Sequence, residues 1–502
     1  MPGKRPYEKI ISRNITRLIV VIFLLISIVT FSCSKKIPSY IETDREVKIS
    51  PDYTAITLPP NIAPLNFTVN EDADKYLIEI YESGGEKIII KSSEGSINIP
   101  ERKWKKLLQK CAGSDMFIAV YIKKKGDWIK FSEIVNHVAT EPIDSYVVYR
   151  LIDPGFELWN KMGIYQRCLE NFDERPIMVN SISDDNCMNC HSFSKNSSQN
   201  MMFHMRSKYA GTIIYRNGKL KKVDTSTDKT ISPGVYPAFH PGGRYIAFSM
   251  NHIVQSFHSI RQLKVEVTDT LSDIMVYDSE QNMVFSSPAI TKKDQFETFP
   301  TWSPDGKFLY YCSAKATSLA KFDSIHYDLH RIAFDETNCR FGTVDTVVSM
   351  SSEGRSISFP RISPDGRYLM FCQSDFGNFS IWHSESDLYL LNLETGEISE
   401  PDINSEQSES YHTWSSGGRW IVFSSRRIDG LFTRLYFSFF DNDGKAHKPF
   451  LLPQKDPEFY STFLKSYNVP ELITGSVNLN PRKLSKIIRS EPEKSTFQDF
   501  SQ

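Results

Sequence analysis

Short apolar runs broken by turn formers fill most of this chain, and they are too brief and too rich in β-branched and aromatic residues to be helices. Between Tyr53 and Asp153 they read YLIEIYES, EKIIIKSS, MFIAVYIKK, WIKFSEIV and SYVVYRLI. Five or more strands in about a hundred residues predict a β-sandwich over residues 51–153, with one short helix from Trp104 to Lys110. Residues 154–186 mix the two periodicities and are expected to form a helical or irregular bridge. Beyond them a single pattern recurs: YPAFHPGGRYIAFS from Tyr236, FPTWSPDGKFLYYCS from Phe299, FPRISPDGRYLMFCQ from Phe359 and YHTWSSGGRWIVFSS from Tyr411. Each copy is a strand, a tight turn and a returning apolar strand, and each is followed by another alternating run such as DIMVYD or DLYLLNLETGE. Repeated units of this size predict four-stranded sheets set radially as the blades of a β-propeller.

The S-P-D-G turns resemble the WD-repeat-like blades of TolB-type propellers, over roughly residues 187–480. HPGG and SSGG depart from that turn but can still form one. The resemblance implies a propeller of five or six blades. Whether the segment after Leu451 completes an unfinished blade or builds a sixth stays open. The proline-rich lead-in PPNIAPLNF makes the N-terminal region similar to a fibronectin type III module. Residues 481–502 are expected to be a C-terminal tail.

The first 33 residues follow different rules. Lys4, Arg5, Lys9, Arg13 and Arg17 precede an apolar stretch from Leu18 to Phe31 that ends at Ser32-Cys33. A basic head, a short apolar middle and a small residue before cysteine predict an export signal, residues 1–33. A spanning helix would need about twenty apolar residues. TFSC resembles a bacterial lipobox, with Phe31 departing from its usual small residue. That resemblance implies a lipidated Cys33, a polar tether over residues 34–50 and a protein anchored in the bacterial envelope, facing the periplasm, from the outer rather than the inner membrane.

Composition narrows the partners. Among 502 residues, 59 Lys and Arg nearly cancel 60 Asp and Glu, so no broad positive field points to nucleic acid. The partners expected are the membrane, through its lipid, and another envelope or redox protein.

The sharpest chemical signal is NCMNCHSFSKNSSQNMMFHMR from Asn186, which holds Cys187, Cys190 and His191 as C-x-x-C-H. CHSFS aligns with FPTWS and its relatives, so the motif is expected in the first blade of the propeller. In an exported protein this pattern resembles the haem attachment site of c-type cytochromes: two thiols add to the vinyl groups and the adjacent histidine binds iron. One covalent haem c is therefore the expected cofactor. Zinc would need two more ligands with metal-site spacing, and a thiol exchange pair would want a βαβ setting; a plain disulfide is a further alternative. For the sixth position on iron two candidates arise. His412 occupies in its repeat the place of His191, where other copies carry Pro237, Pro300 and Pro360. His204 is nearer in sequence, but adjacent strands lie about 5 Å apart, too close for two residues gripping one iron from opposite sides.

Cys312 and Cys372 share one repeat position with Ser249 and Ser424 and read as small core residues. Trp302 and Trp414 read as packing residues, Asp305 and Asp365 as turn residues, and His240 as a solvated turn residue. No G-x-S-x-G elbow, P-loop or H-E-x-x-H is present, so no catalytic residue is assigned. An open iron position would permit peroxide chemistry, yet nothing in the sequence names a distal base for it. Two functions follow: a lipid-anchored propeller presenting haem for electron transfer or redox sensing, or a non-catalytic binding and assembly module for a protein or glycan.

Overall fold

The computed structural model describes residues 39–153, 161–259 and 264–500, so the expected export signal, residues 1–33, and Cys33 lie outside the described residues. Between Tyr40 and Val138 a seven-stranded sheet and a three-stranded sheet enclose a common core. The helix Glu101–Cys111 turns Trp104, Leu107, Leu108 and Cys111 inward, three or four positions apart and so on one face. The Trp104 indole donates to the Ile62 carbonyl at 2.9 Å, which satisfies the one polar atom of a fully buried ring. Two strand pairs here are parallel, Tyr40–Glu42 with Asp127–Lys130 and Ile134–Val138 with Thr57–Leu58. Sheets of seven and three strands differ from the roughly four-plus-three division of an immunoglobulin-type sandwich.

Six further sheets follow among the described residues, each antiparallel through its first four strands. The second to sixth begin with the inner strands Met188–Phe193, Gly234–Phe239, Gln295–Trp302, Ser356–Ile362 and Glu409–Trp414. The first is assembled from both ends of the region. Tyr146–Ile152, Gly163–Cys168 and Glu174–Val179 supply three strands, and Ser466–Ile473 returns from the far end to pair with Tyr146–Ile152. Inner strands touch in cyclic order, with Ser466–Ile473 lying between Glu409–Trp414 and Met188–Phe193. That closed radial arrangement is a β-propeller.

Several expectations are corrected by this topology. Part of the stretch 154–186, expected to be an irregular bridge, is two strands of the first sheet, and Tyr146–Ile152, expected to end the N-terminal sandwich, belongs to the same sheet. The C-x-x-C-H segment therefore lies in the second sheet of the ring. Residues 481–500 are docked and do not form a free tail. Pro481–Arg489 is helical, and Glu493–Lys494 and Thr496–Phe497 add parallel strands to the second and third sheets, covering edges that would otherwise present unpaired backbone.

Every inner strand carries one extra residue at its centre. Register slips opposite Cys190-His191, Tyr236-Pro237, Phe299-Pro300, Phe359-Pro360, Tyr411-His412 and Val469-Pro470. The first residue of each pair has a left-handed φ between 43° and 53°. Bulges with such backbones re-aim a side chain out of the pleat, and all six of these residues border the central cavity. Proline at four of the six second positions brings no N–H that the broken ladder would leave unpaired. Neighbouring sheets are then tied by their tryptophans: Trp302 donates to Ala238 O and Trp414 to Arg361 O, each at 3.1 Å.

Candidate functional site

The bulges converge on a cavity at the propeller axis that, with its open mouth, holds about 1380 Å³ of space. Tyr236, Phe299, Phe359 and Tyr411 form an arc of rings whose successive centroids lie 4.6, 4.3 and 4.5 Å apart. Val469 and Cys190 complete the circle. Arg150, Arg206, Arg361 and Arg426 also border the space, while the acid there, Asp153, is paired to Lys465 at 3.3 Å. The lining is thus apolar and aromatic with an excess of positive charge, the composition of a ligand cavity.

Cys187, Cys190 and His191 all face this cavity, and both thiols are free. Burial raises the pKa of the Cys187 thiol. His191 is 2% exposed, and neither ring nitrogen has a hydrogen-bond partner. Burial, reinforced by the Arg150 charge, pushes its pKa down to about 3 against a smaller opposing pull from the Val469 backbone. His191 is therefore a neutral imidazole with both nitrogens available, and such an orphan in a protein interior costs about 1–3 kcal/mol unless something binds it.

Residues of the first sheet and Arg206 hold the motif in place. Arg150 Nη1 donates to the Met188 carbonyl at 3.1 Å and Nη2 to Asn468 Oδ1 at 3.0 Å, joining the motif strand to the closing strand. The Phe193 amide donates to Glu471 Oε2 at 3.0 Å, on a carboxyl that burial pushes up to about 8. With the amide oriented to satisfy both groups, Asn189 accepts from Arg206 Nη2 and Nε at 2.9 and 3.1 Å.

One wall of the cavity comes from a long hairpin, Tyr245–Phe257 with Val265–Asp278. Its Val265 and Val267 pack on Ile381 and Trp382 of the fifth sheet. Glu266 Oε2 meets His383 Nε2 at 2.8 Å, and Asp269 accepts from Asn378 at 2.7 Å. Burial alone would depress His383, but its bonds to Glu266 and Glu385 outweigh that and push it up to about 9. The hairpin is pinned across the ring by a buried ion pair.

The two expected sixth ligands are not at the cavity. His412 sits at the equivalent bulge, but its Nε2 lies 2.9 Å from the Met370 carbonyl, which fixes the proton there, and its Nδ1 faces Cys372. Its ring points between sheets. His204 lies against Thr212 Oγ1 at 3.2 Å and borders a separate recess with Lys208 and Lys222. Each is neutral through burial, pushed down to about 3 and about 4 respectively. His240, expected in solvent, is 2% exposed and bonds Gly306 O at 3.1 Å. Asp305 and Asp365 do make turns, accepting from Ser303 and Ser363 hydroxyls at 2.6 Å.

Sequence reasoning missed the four arginines and Trp382; of the two readings left open for the segment after Leu451, the strand added to an incomplete blade is the one observed. The aromatic arc was within reach, because the repeats read Y-P, F-P, F-P and Y-H at that place.

No family model and no curated protein matches the chain. Among solved structures it is similar to a chain of a nidogen/laminin complex, at 11% identity and a TM-score of 0.35, over 61% of this chain and 93% of that one. It is similar to prolyl oligopeptidase B from Galerina marginata bound to a 35mer hydrolysis and macrocyclization substrate, at 10% identity and 0.35, over 67% and 42%. The Dos1 propeller shares 12% identity at 0.27, over 47% and 65%. This chain spans less than two thirds of the peptidase and Dos1 chains. Likenesses this distant carry nothing about activity; the sheet order and the cavity define the class, a β-propeller with an aromatic, cationic central cavity.

Proposed function

We propose that this protein is a six-bladed propeller behind an N-terminal β-sandwich, anchored in the bacterial envelope through a lipid on Cys33. It carries one haem on Cys187 and Cys190, binds the iron through His191, and serves electron transfer or redox sensing. The observation that carries this reading is the meeting of two free thiols and an unpartnered, neutral imidazole at one cavity. A bound haem would supply reversible one-electron chemistry, with its potential set by ligand, burial and nearby charge.

The chain's own residues would do the holding. Cys187 and Cys190 offer thiols whose addition to vinyl groups moves each S–H hydrogen to carbon, so the attachment needs no oxidant. His191 needs no deprotonation to act as a ligand, because burial already keeps it neutral. Tyr236, Phe299, Phe359 and Tyr411 keep water from one side of the space, and Arg150 fixes the motif strand to the strand that closes the ring.

The test is the intact mass and visible absorbance of the full chain exported alongside cytochrome c maturation factors. Haem-sized added mass on the peptide spanning residues 187–191, lost in Cys187→Ser with Cys190→Ser, supports the proposal. A colourless chain with both thiols free, or with the two joined to each other, sinks it and leaves a propeller that binds or assembles.

A further inference from the structure

We infer that Arg426, stacked on Trp382 in the wall between the central cavity and a recess at its mouth, forms a binding site for a carboxylate or phosphate group. The inference goes beyond the haem proposal and does not depend on it. Arg426 borders both spaces, the second of which it shares with Trp382, Gln407 and Ser408. The residue is only 4% exposed, and its guanidinium carbon lies 3.1 Å from the Trp382 ring centre. Nε has no partner, and no described residue accepts a hydrogen bond from this side chain.

Two arginines close to it in sequence are treated differently. Arg427, next in sequence, bonds Glu409 Oε1 at 3.0 Å and Ser425 Oγ at 2.9 Å. Arg434 donates to the carbonyls of Lys465 and Phe463. Asp429, the acid nearest Arg426, spends its Oδ1 on the amides of Leu431 and Phe432 at 2.8 Å. An unpaired buried cation is among the most destabilising groups a fold can keep. Burial pushes Arg426 down to about 9, which records that penalty. A planar fork of donors held by an aromatic face fits a bidentate oxyanion. The three further arginines at the cavity favour the same sign of ligand. Two sources share this chemistry: a carboxylate on a covalently held porphyrin, or an anionic group on a free ligand entering at the mouth.

The experiment uses the full chain carrying Cys187→Ser and Cys190→Ser, which has no thiols to hold haem, with inorganic phosphate as the probe. Calorimetric titration at low salt should show saturable binding that weakens by about tenfold or more with Arg426→Gln. Without phosphate, Arg426→Gln should melt higher than its parent, because it removes an unpaired buried charge. Phosphate should raise the parent's melting temperature alone. Arg426→Lys, which keeps the charge but loses the fork, should bind with intermediate affinity and serves if the glutamine variant fails to fold. Absence of phosphate binding in the parent, unchanged binding in the variants, or a lower melting point for Arg426→Gln without phosphate overturns the site. If the chain with both cysteines acquires haem and no longer binds phosphate, the anion is the porphyrin's own; if it still binds, the ligand is free. A chain with both cysteines that stays colourless and binds phosphate like the double variant fails the haem proposal and keeps this one.

Discussion

The bulges at Cys190-His191 and Tyr411-His412 share a left-handed first residue and a histidine second, yet their imidazoles meet opposite surroundings. His412 finds the Met370 carbonyl on the neighbouring sheet and is satisfied there. His191 makes no hydrogen bond through either nitrogen and stands at the cavity beside two thiols. The backbone device is common to the whole ring, so the device alone confers no chemistry. What separates a packing histidine from an available ligand is whether the adjoining sheet offers a carbonyl within reach.

The comparison breaks most sharply at the spectrum. In haem-bearing protein, His191→Ala is expected to abolish the absorption bands of a histidine-ligated iron while the covalently added mass stays, and His412→Ala to leave the bands in place. Bands lost only in the His412 variant would reverse the two roles.

Acid and alkali probe the same contrast through stability. His191, His204 and His412 have folded pKa values of about 3 to 4, below the unfolded value of about 6.5. Their contribution is full above pH 6.5 and is lost as pH falls toward 3. His383 has the opposite sign: raised to about 9, it contributes fully below pH 6.5 and loses that contribution as pH climbs through 9. Melting temperature should therefore peak near neutrality. His383→Gln should flatten the alkaline limb and His412→Phe should make the acid limb shallower, and melting curves across pH 3–10 check both.

At fixed neutral pH in the haem-free chain, His412→Phe should cost about 1–3 kcal/mol, because it orphans the Met370 carbonyl. His191→Phe orphans nothing and should stay within about 0.5 kcal/mol of the parent or exceed it. Chemical denaturation of the pair would show the difference, and equal losses would mean that His191 has a partner after all. A loss at the low end of that for His412→Phe is expected away from both bulges: Asp305→Ala removes bonds to Ser303 Oγ and the Lys307 amide. About 1 kcal/mol should go with them, with no change at the cavity.

Much of the ring was legible because its repeats are local. A strand, an S-P-D-G turn and a returning strand occupy about fifteen residues, and short-range patterning records them well. The first sheet escaped because Gly163–Cys168 and Glu174–Val179 are joined without that turn, and because its inner strand carries Val469 where four other sheets carry an aromatic. The arginines escaped for a different reason. Arg150, Arg206, Arg361 and Arg426 come from four blades, and only closure of the ring brings them to one space. The direction of His412 was equally hidden, since a bulge frees a side chain to turn and the repeat does not say which carbonyl will catch it.

Closure by Ser466–Ile473 also sets a timetable. Asn468 and Val469 border the cavity, yet they are joined to Tyr146–Ile152 across more than three hundred intervening residues, a pairing that loop entropy makes late and slow. The thiols of Cys187 and Cys190 emerge long before their chamber has its last wall. A chain interrupted before Ile473 would own the motif and lack the room around it, so the site is a property of the finished circle.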